Sequence, residues 1–207
     1  MQTASALESF PESWRLYNVQ GFARTELGEL DEALASYRSA LEIGPEQPSI
    51  HINMAVTLGK KGLINEALGS YQKALEITPD NPEAYFNQGT TLAQSGQLDL
   101  AVENFNRVIQ INPGHTKAWF NLGNILQNRR EFEKARKCYE TILGIAGDSV
   151  EVHLNLGTTY RAQGEHELAL TSYRKAIQIN PKHAGAFNSV GVILQESGDF
   201  QGAIENY

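Results

Sequence analysis

The sequence predicts an all-α fold of stacked antiparallel helix pairs. Three observations carry that prediction, and each recurs at a spacing of 34 residues. Alanine stands at Ala33, Ala67, Ala101, Ala135, Ala169 and Ala203. An aromatic follows each alanine by four residues: Tyr37, Tyr71, Phe105, Tyr139, Tyr173 and Tyr207. A small residue fills Gly21, Ala55, Gly89, Gly123, Gly157 and Gly191. Self-similarity at one fixed period marks a repeat architecture, in which each unit buries its apolar face against its neighbours.

Each period reads as two helices. In the third repeat the first helix runs from Pro82 to about Ser95. Pro82 suits a first helical position, and Asp80 and Asn81 precede it as caps. Gly96 ends that helix, as Gly28, Gly62, Gly164 and Gly198 end others. The second helix starts at a residue such as Asp31, Asn65 or Asp99. In the second repeat it carries Ala67, Leu68, Tyr71, Ala74 and Leu75 at helical spacing. A proline then closes the repeat at Pro45, Pro79, Pro113 and Pro181, with Pro11 on the same beat and Gly147 at the missing one. The small residue of the first helix admits the second at close range, and the aromatic fills the space beyond. No alternating run bounded by hairpin turns argues for strands.

The period divides the chain into a preceding tail (1–13), repeats at 14–47, 48–81, 82–115, 116–149 and 150–183, and a truncated sixth repeat at 184–207. Residues 5–13 superpose on 39–47 after a shift of one period, and Tyr207 falls inside a second helix. Both ends therefore read as cuts through a repeat, which predicts a fragment of a longer array or protein. The alternative is a complete short chain that self-associates through uncapped ends.

Trp119, Leu122, Gly123, Leu126, Ala135 and Tyr139 in one repeat form a specific motif. The next repeats it with Leu156, Gly157, Tyr160, Ala169, Tyr173, Ala176 and Pro181. These residues resemble the tetratricopeptide repeat family over the whole chain. The resemblance implies a right-handed superhelical solenoid whose first helices line a concave groove. It also implies a non-catalytic scaffold that takes an extended or helical polypeptide there.

Asparagine recurs at the same period on the first helices: Asn53, Asn87, Asn121 and Asn155. Val19 and Ser189 break the series in the flanking repeats. Helical spacing puts Thr90, Gln94, Lys117, Asn124, Asn128 and Thr158 on the same face. A carboxamide offers two donors and an acceptor, the groups that match a peptide backbone. Neighbouring first helices lie on the order of 10 Å apart, about three extended residues. The row can therefore pin an extended chain at intervals. It resembles the asparagine ladder of O-linked N-acetylglucosamine transferases, which holds protein substrates. That likeness gives the alternative reading, the substrate-recognition arm of a glycosyltransferase-like enzyme whose catalytic domain lies outside this chain. Asparagine is also common at this slot in the family and can instead bond the neighbouring helix. The two-carboxylate clamp of chaperone-binding relatives is matched only in part, by Lys117, Asn121 and Asn155. Gly185 and Ser189 stand where that clamp needs cations.

The bulk numbers exclude several classes. A net charge of −7 over 207 residues argues against a binder that neutralises phosphates. Cys138 is the single cysteine, so no internal disulfide forms, and inside a second helix it reads as a packing residue. No signal peptide or membrane-spanning run is present, so the expected location is cytoplasmic, with no membrane partner. The five histidines never stand at metal-ligand spacing, and no phosphate loop or serine elbow occurs. No cofactor and no enzymatic activity are expected of this chain. Arg129, Arg130, Lys134, Arg136 and Lys137 form a basic run, read as a solvated face offset by Glu131, Glu133 and Glu140.

Overall fold

The computed structural model describes residues 13–207. Most of the expected 1–13 tail lies outside the described residues. The described residues form twelve helices and no strand. In chain order they are α1 (Ser13–Leu27), α2 (Leu30–Ile43), α3 (Pro48–Lys60), α4 (Ile64–Ile77), α5 (Pro82–Gln94) and α6 (Leu98–Ile111). There follow α7 (Thr116–Asn128), α8 (Phe132–Ala146), α9 (Val150–Ala162), α10 (His166–Ile179), α11 (Ala184–Glu196) and α12 (Phe200–Asn206). They divide into two compact units, one ending at Asn112 and the other beginning at Pro113. In the first unit α1 packs on α2, α3 on α4 and α5 on α6; the first helices α1, α3 and α5 also touch in succession. In the second unit α7 pairs with α8, α9 with α10 and α11 with α12, and α7 touches α9.

The small and aromatic slots meet as expected within each pair. A Cβ added to Gly157 would lie 2.5 Å from the Tyr173 ring, and one on Gly21 would lie 2.6 Å from Tyr37. Tyr37, Tyr71, Phe105, Tyr139 and Tyr173 are buried, as are the alanines beginning the same motif. Ala55 takes the small slot in the third helix and packs in one core with Ile52, Leu58 and Tyr71.

The turn inside each pair differs from the expectation in one respect. The second helices begin at Leu30, Ile64 and Leu98, one residue before the anticipated acidic or amide starts. Their N-cap side chains make no capping hydrogen bond. The backbone closes the turn instead. Gly28 has φ +82°, and the Glu29 N–H donates to the Arg24 carbonyl at 2.9 Å across the glycine. The N-cap position falls on Glu29, Leu63 and Gln97, so Asp31 and Asn65 sit in the first helical turn; where it falls on Asp199, the side chain does cap, accepting from the Gly202 N–H at 2.9 Å.

Asn81 caps its first helix as expected, and other residues cap later ones, while Gln47 before α3 makes no capping bond. Asn81 accepts from the Glu83 and Ala84 N–H groups at 3.0 and 3.1 Å. Asp80, expected beside it as a cap, instead holds the Arg107 guanidinium at 2.7 Å. At the equivalent positions His115 and His183 accept from Ala118 and Ala186 through Nδ1. Residues 44, 78, 112 and 180, which precede the closing prolines, leave the helix with φ near −131° to −135°, as a following proline demands. Where glycine replaces that proline, α8 runs to 15 residues and Gly147 takes φ +79°.

Candidate functional site: the carboxamide face of the first helices

The first unit holds Asn53 on α3 and Asn87, Thr90 and Gln94 on α5. The second holds Lys117, Asn121, Asn124 and Asn128 on α7, and Asn155 and Thr158 on α9. Asn53, Asn87, Asn121 and Asn155 are all half-buried, whereas Gln94, Lys117, Asn128 and Thr158 are exposed. Half-burial holds an amide in place while leaving part of it accessible.

The four asparagines are not equivalent. Asn53 donates through Nδ2 to Oδ1 of Asn18 on α1 at 3.1 Å. Asn155 donates through Nδ2 to Oδ1 of Asn124 on α7, also at 3.1 Å. Each is thus tied to the preceding first helix of its own unit. Asn87 and Asn121 make no side-chain hydrogen bond to any described residue. Thr90 donates to its own helix at Phe86, and Thr158 to Leu154, both at 2.9 Å; the Thr158 oxygen in turn accepts from the Tyr173 hydroxyl at 3.2 Å.

A buried layer of hydroxyls supports the ladder. Thr57, Thr91 and Thr159 donate to the carbonyls of Asn53, Asn87 and Asn155. In the first unit Thr25 and Thr57 hydroxyls lie 2.7 Å apart, and the Tyr37 hydroxyl lies 3.3 Å from Thr25. In the second, the Tyr139 hydroxyl reaches Asn124 Oδ1 at 2.8 Å and Gln127 Oε1 at 3.0 Å. The Thr159 hydroxyl, whose shorter contact is to Asn155, lies 3.1 Å from the same Gln127 oxygen. Burial pushes the phenol of Tyr71 up to about 12 and raises those of Tyr37 and Tyr173 as well. These tyrosines are neutral donors or acceptors throughout the physiological range. The sequence reading missed Asn18, because it stands one residue ahead of the repeat position held by Val19. It also missed the threonine series 57, 91 and 159, which does keep the period but is broken by Ile125.

The remaining reactive candidates are embedded in packing. Cys138 is buried, and burial lifts its thiol to about 11, far from a nucleophilic thiolate. His51 and His153 are buried in the slot shared with Tyr85 and Trp119. Burial lowers the His51 pKa. His153 bonds Asp148 at 2.8 Å, and that hydrogen bond holds the aspartate below its usual range. Two cations of the basic run on α8 are paired locally, Lys134 with Glu131, and Arg136 with Glu133 and Glu140. Among the described residues no group of three His, Cys, Asp or Glu side chains is placed to hold a metal ion. No helix among them is long and apolar enough to cross a membrane.

Comparison with known proteins adds to this picture. Family models described as tetratricopeptide repeat match residues 116–182 and 82–115, and one described as TPR repeat matches 21–62 and 60–96. No curated protein sequence matches the chain. Among solved structures, MamA superposes with a TM-score of 0.71 at 23% identity, covering 85% of this chain and 96% of its own. PilF of Pseudomonas aeruginosa superposes with a TM-score of 0.78 at 20% identity, covering 93% and 88%. YrrB, described as a TPR protein with an unusual peptide-binding site, is 27% identical over 88% of this chain and 94% of its own, with a TM-score of 0.69.

Proposed function

Because the chain belongs to the tetratricopeptide repeat family, we propose that it is a protein-interaction scaffold that receives a polypeptide on its first-helix face. The strictly recurring residues of the repeat are committed to packing: glycine against tyrosine, and buried alanine beside it. What varies in chemistry lies on the first helices. The observation that carries the reading is the pair of half-buried amides, Asn87 in the first unit and Asn121 in the second, whose groups are not satisfied by any described side chain. Neither amide is among the buried unsatisfied polar groups, so both reach solvent and can exchange water for the N–H and C=O groups of a polypeptide.

The likeness to YrrB, a protein with a peptide-binding site, supports a polypeptide as the occupant. The acidic balance of the chain, −7 overall, also favours a protein partner over a polyanion. The face is polar rather than apolar, so affinity comes from many modest hydrogen bonds and from exclusion of water, not from one anchoring pocket.

The test is a capture experiment from the source lysate with the immobilised chain, followed by titration calorimetry with the recovered partner. Substituting Asn87→Ala and Asn121→Ala together weakens binding by about tenfold or more, on the basis of one to two lost hydrogen bonds per amide. Undiminished affinity in a variant with an unchanged melting temperature defeats the proposal.

A further inference from the structure

A second groove lies in the first unit, on the other side of α5 from the amide face. Tyr85 stands two residues before Asn87, about 200° round the helix, so the two side chains leave α5 on nearly opposite sides. There α4, α5 and α6 border a groove with a volume of about 380 Å³. Leu75, Pro79 and Tyr85 give it an apolar wall. Gln88, Asn104 and the carboxylates Glu76 and Glu103 give it a polar one.

Two of these residues depart from the repeat. At the register position of Gln88 the chain elsewhere carries Met54, Leu122, Leu156 and Val190, and the exposed Gln20. Met54 packs onto the core of the first unit. Gln88 is half-buried, and its amide makes no hydrogen bond to any described residue. At the position of Asn104 three other repeats carry Ser36, Ser70 and Ser172, each donating to the carbonyl four residues back. Asn104 copies that bond, Nδ2 to Leu100 at 2.8 Å, but brings a carbonyl oxygen as well. That Oδ1 is buried with no hydrogen-bond partner. It is an uncompensated negative pole in the lining of the groove.

The charges agree in sign. Arg107, the cation in the lining, is already engaged: Nη2 bonds Asp80 at 2.7 Å, Nη1 lies 3.3 Å from Gln110 Oε1, and the guanidinium lies 5.9 Å from the Tyr85 ring centroid. The Glu103 side chain has no partner among the described residues, and that of Glu76 meets only the Gln72 amide, at 3.4 Å. Two exposed carboxylates, an amide open to solvent and an unpaired amide oxygen thus face one apolar wall.

We infer that this groove takes a lysine side chain of a polypeptide partner. The alkyl stem covers Leu75, Pro79 and Tyr85. The ammonium brings three donors and no acceptor, which suits carboxylates and amide oxygens. Arginine gains most by stacking on an aromatic face, and Arg107 already covers that of Tyr85. The site rests on the scaffold reading for its polypeptide partner, but not on the first-helix face.

The experiment follows the side-chain N–H₂ signals of Gln88 by NMR in the full chain. The probe is acetylated, amidated Ser-Gly-Lys-Gly-Ser, compared with its norleucine and arginine analogues. The Gln88 signals should move with the lysine probe at millimolar concentration, and the norleucine analogue should bind about fivefold more weakly or worse. Glu76→Gln with Glu103→Gln should weaken the lysine probe about threefold or more, whereas Glu29→Gln with Glu32→Gln, which removes the same charge elsewhere, should change it by less than about 1.5-fold. Gln88→Met installs the residue of the second repeat without altering charge. It should weaken the probe about threefold as well, with the melting temperature unchanged or raised. Equal weakening by the two charge variants would mean attraction to the acidic surface at large and would overturn the inference. An arginine analogue that binds as tightly as the lysine probe overturns it too, as does a Gln88 signal that stays still up to about 20 mM probe. These outcomes leave the first-helix reading untouched, because that reading is tested separately by Asn87→Ala with Asn121→Ala.

Discussion

The two units solve one packing problem identically and one polar problem differently. In both, a tyrosine ring lies against the small residue of the facing helix: Tyr37 on Gly21 in the first, Tyr139 on Gly123 and Tyr173 on Gly157 in the second. The hydroxyls of those rings take different partners. Tyr37 joins a threonine pair, Thr25 and Thr57, and Tyr173 also meets a threonine, Thr158, whereas Tyr139 directs its one proton between two amide oxygens, Asn124 and Gln127. Shape is thus dictated by the repeat, and hydrogen bonding is improvised within it. A ring and a glycine have one way to fit. A hydroxyl in a half-buried layer accepts any neighbour with a lone pair or a proton.

The sharpest way to break the shared part is to fill the small slot. In Gly157→Val even the new Cβ would lie 2.5 Å from the Tyr173 ring, so the ring or the helix must move. The expected loss is about 2–3 kcal/mol in chemical denaturation. Ala55 occupies the same slot in the first unit and is fully buried beside Tyr71, so that pair has already adjusted to a methyl group. Ala55→Gly should cost only about 1 kcal/mol, through backbone entropy and a lost methyl contact. Equal losses at the two sites would show that the slot does not set the helix separation.

The differing part is probed by removing hydroxyls. Tyr139→Phe removes the one proton that lies between the Asn124 and Gln127 oxygens and should cost about 1–2 kcal/mol in the same measurement. Tyr37→Phe should cost less than about 1 kcal/mol, because Thr25 and Thr57 still bond each other at 2.7 Å. The smaller loss must also come without any change in the Asn53 side-chain N–H₂ signals, whereas Tyr139→Phe should shift those of Asn124.

This contrast also explains what was legible in the sequence. The glycine, alanine and aromatic series keeps strict register because each member touches another member of the series. The helix pairs and their core could be read from that register alone. Asn53, Asn87, Asn121 and Asn155 share a register too, yet two are tied and two are not, and nothing in their spacing distinguishes them. The difference lies in Asn18 and Asn124, which occupy different repeat positions and reach the ladder only through side-chain direction. The acidic helix starts at Asp31 and Asp99 were misplaced by one residue because the glycine turn is closed by backbone bonds that composition does not reveal.

A smaller effect separates one turn of the second unit, at Arg130, from the glycine turns of the first. Gly62 adopts φ +84° between α3 and α4 with open space around its Cα. Between α7 and α8 the same conformation falls to Arg130, at φ +62°. The left-handed region costs an ordinary L-residue about 1–2 kcal/mol, partly offset because glycine loses more entropy on folding. Arg130→Gly should therefore stabilise the protein by about 0.5–1 kcal/mol, and Gly62→Ala should destabilise it by about 1 kcal/mol. Since no neighbour crowds the added Cβ at Gly62, a loss much larger than this would point to contacts and not to backbone conformation.

The smallest expected effect concerns the ion pairs that bridge neighbouring first helices. Lys60 reaches Glu26 at 2.9 Å in the first unit, and Arg161 grips Glu196 with two nitrogens in the second. Both pairs are substantially exposed, so each contributes less than about 1 kcal/mol, and the two-pronged geometry favours Arg161. The hydrogen bond from Arg161 holds the Glu196 carboxyl below its usual range. A carboxyl that is more acidic when folded stabilises the protein above its unfolded pKa, and that contribution is lost as the pH falls through the folded value. Glu196→Gln should thus lower the urea midpoint slightly at neutral pH, and the gap from wild type should close on acidification and shrink in roughly 1 M salt. Glu26→Gln should lower it less. If the two substitutions were indistinguishable at neutral pH and low salt, the fork of Arg161 would add nothing to a single ammonium, and the units would differ only in their buried hydroxyl layer.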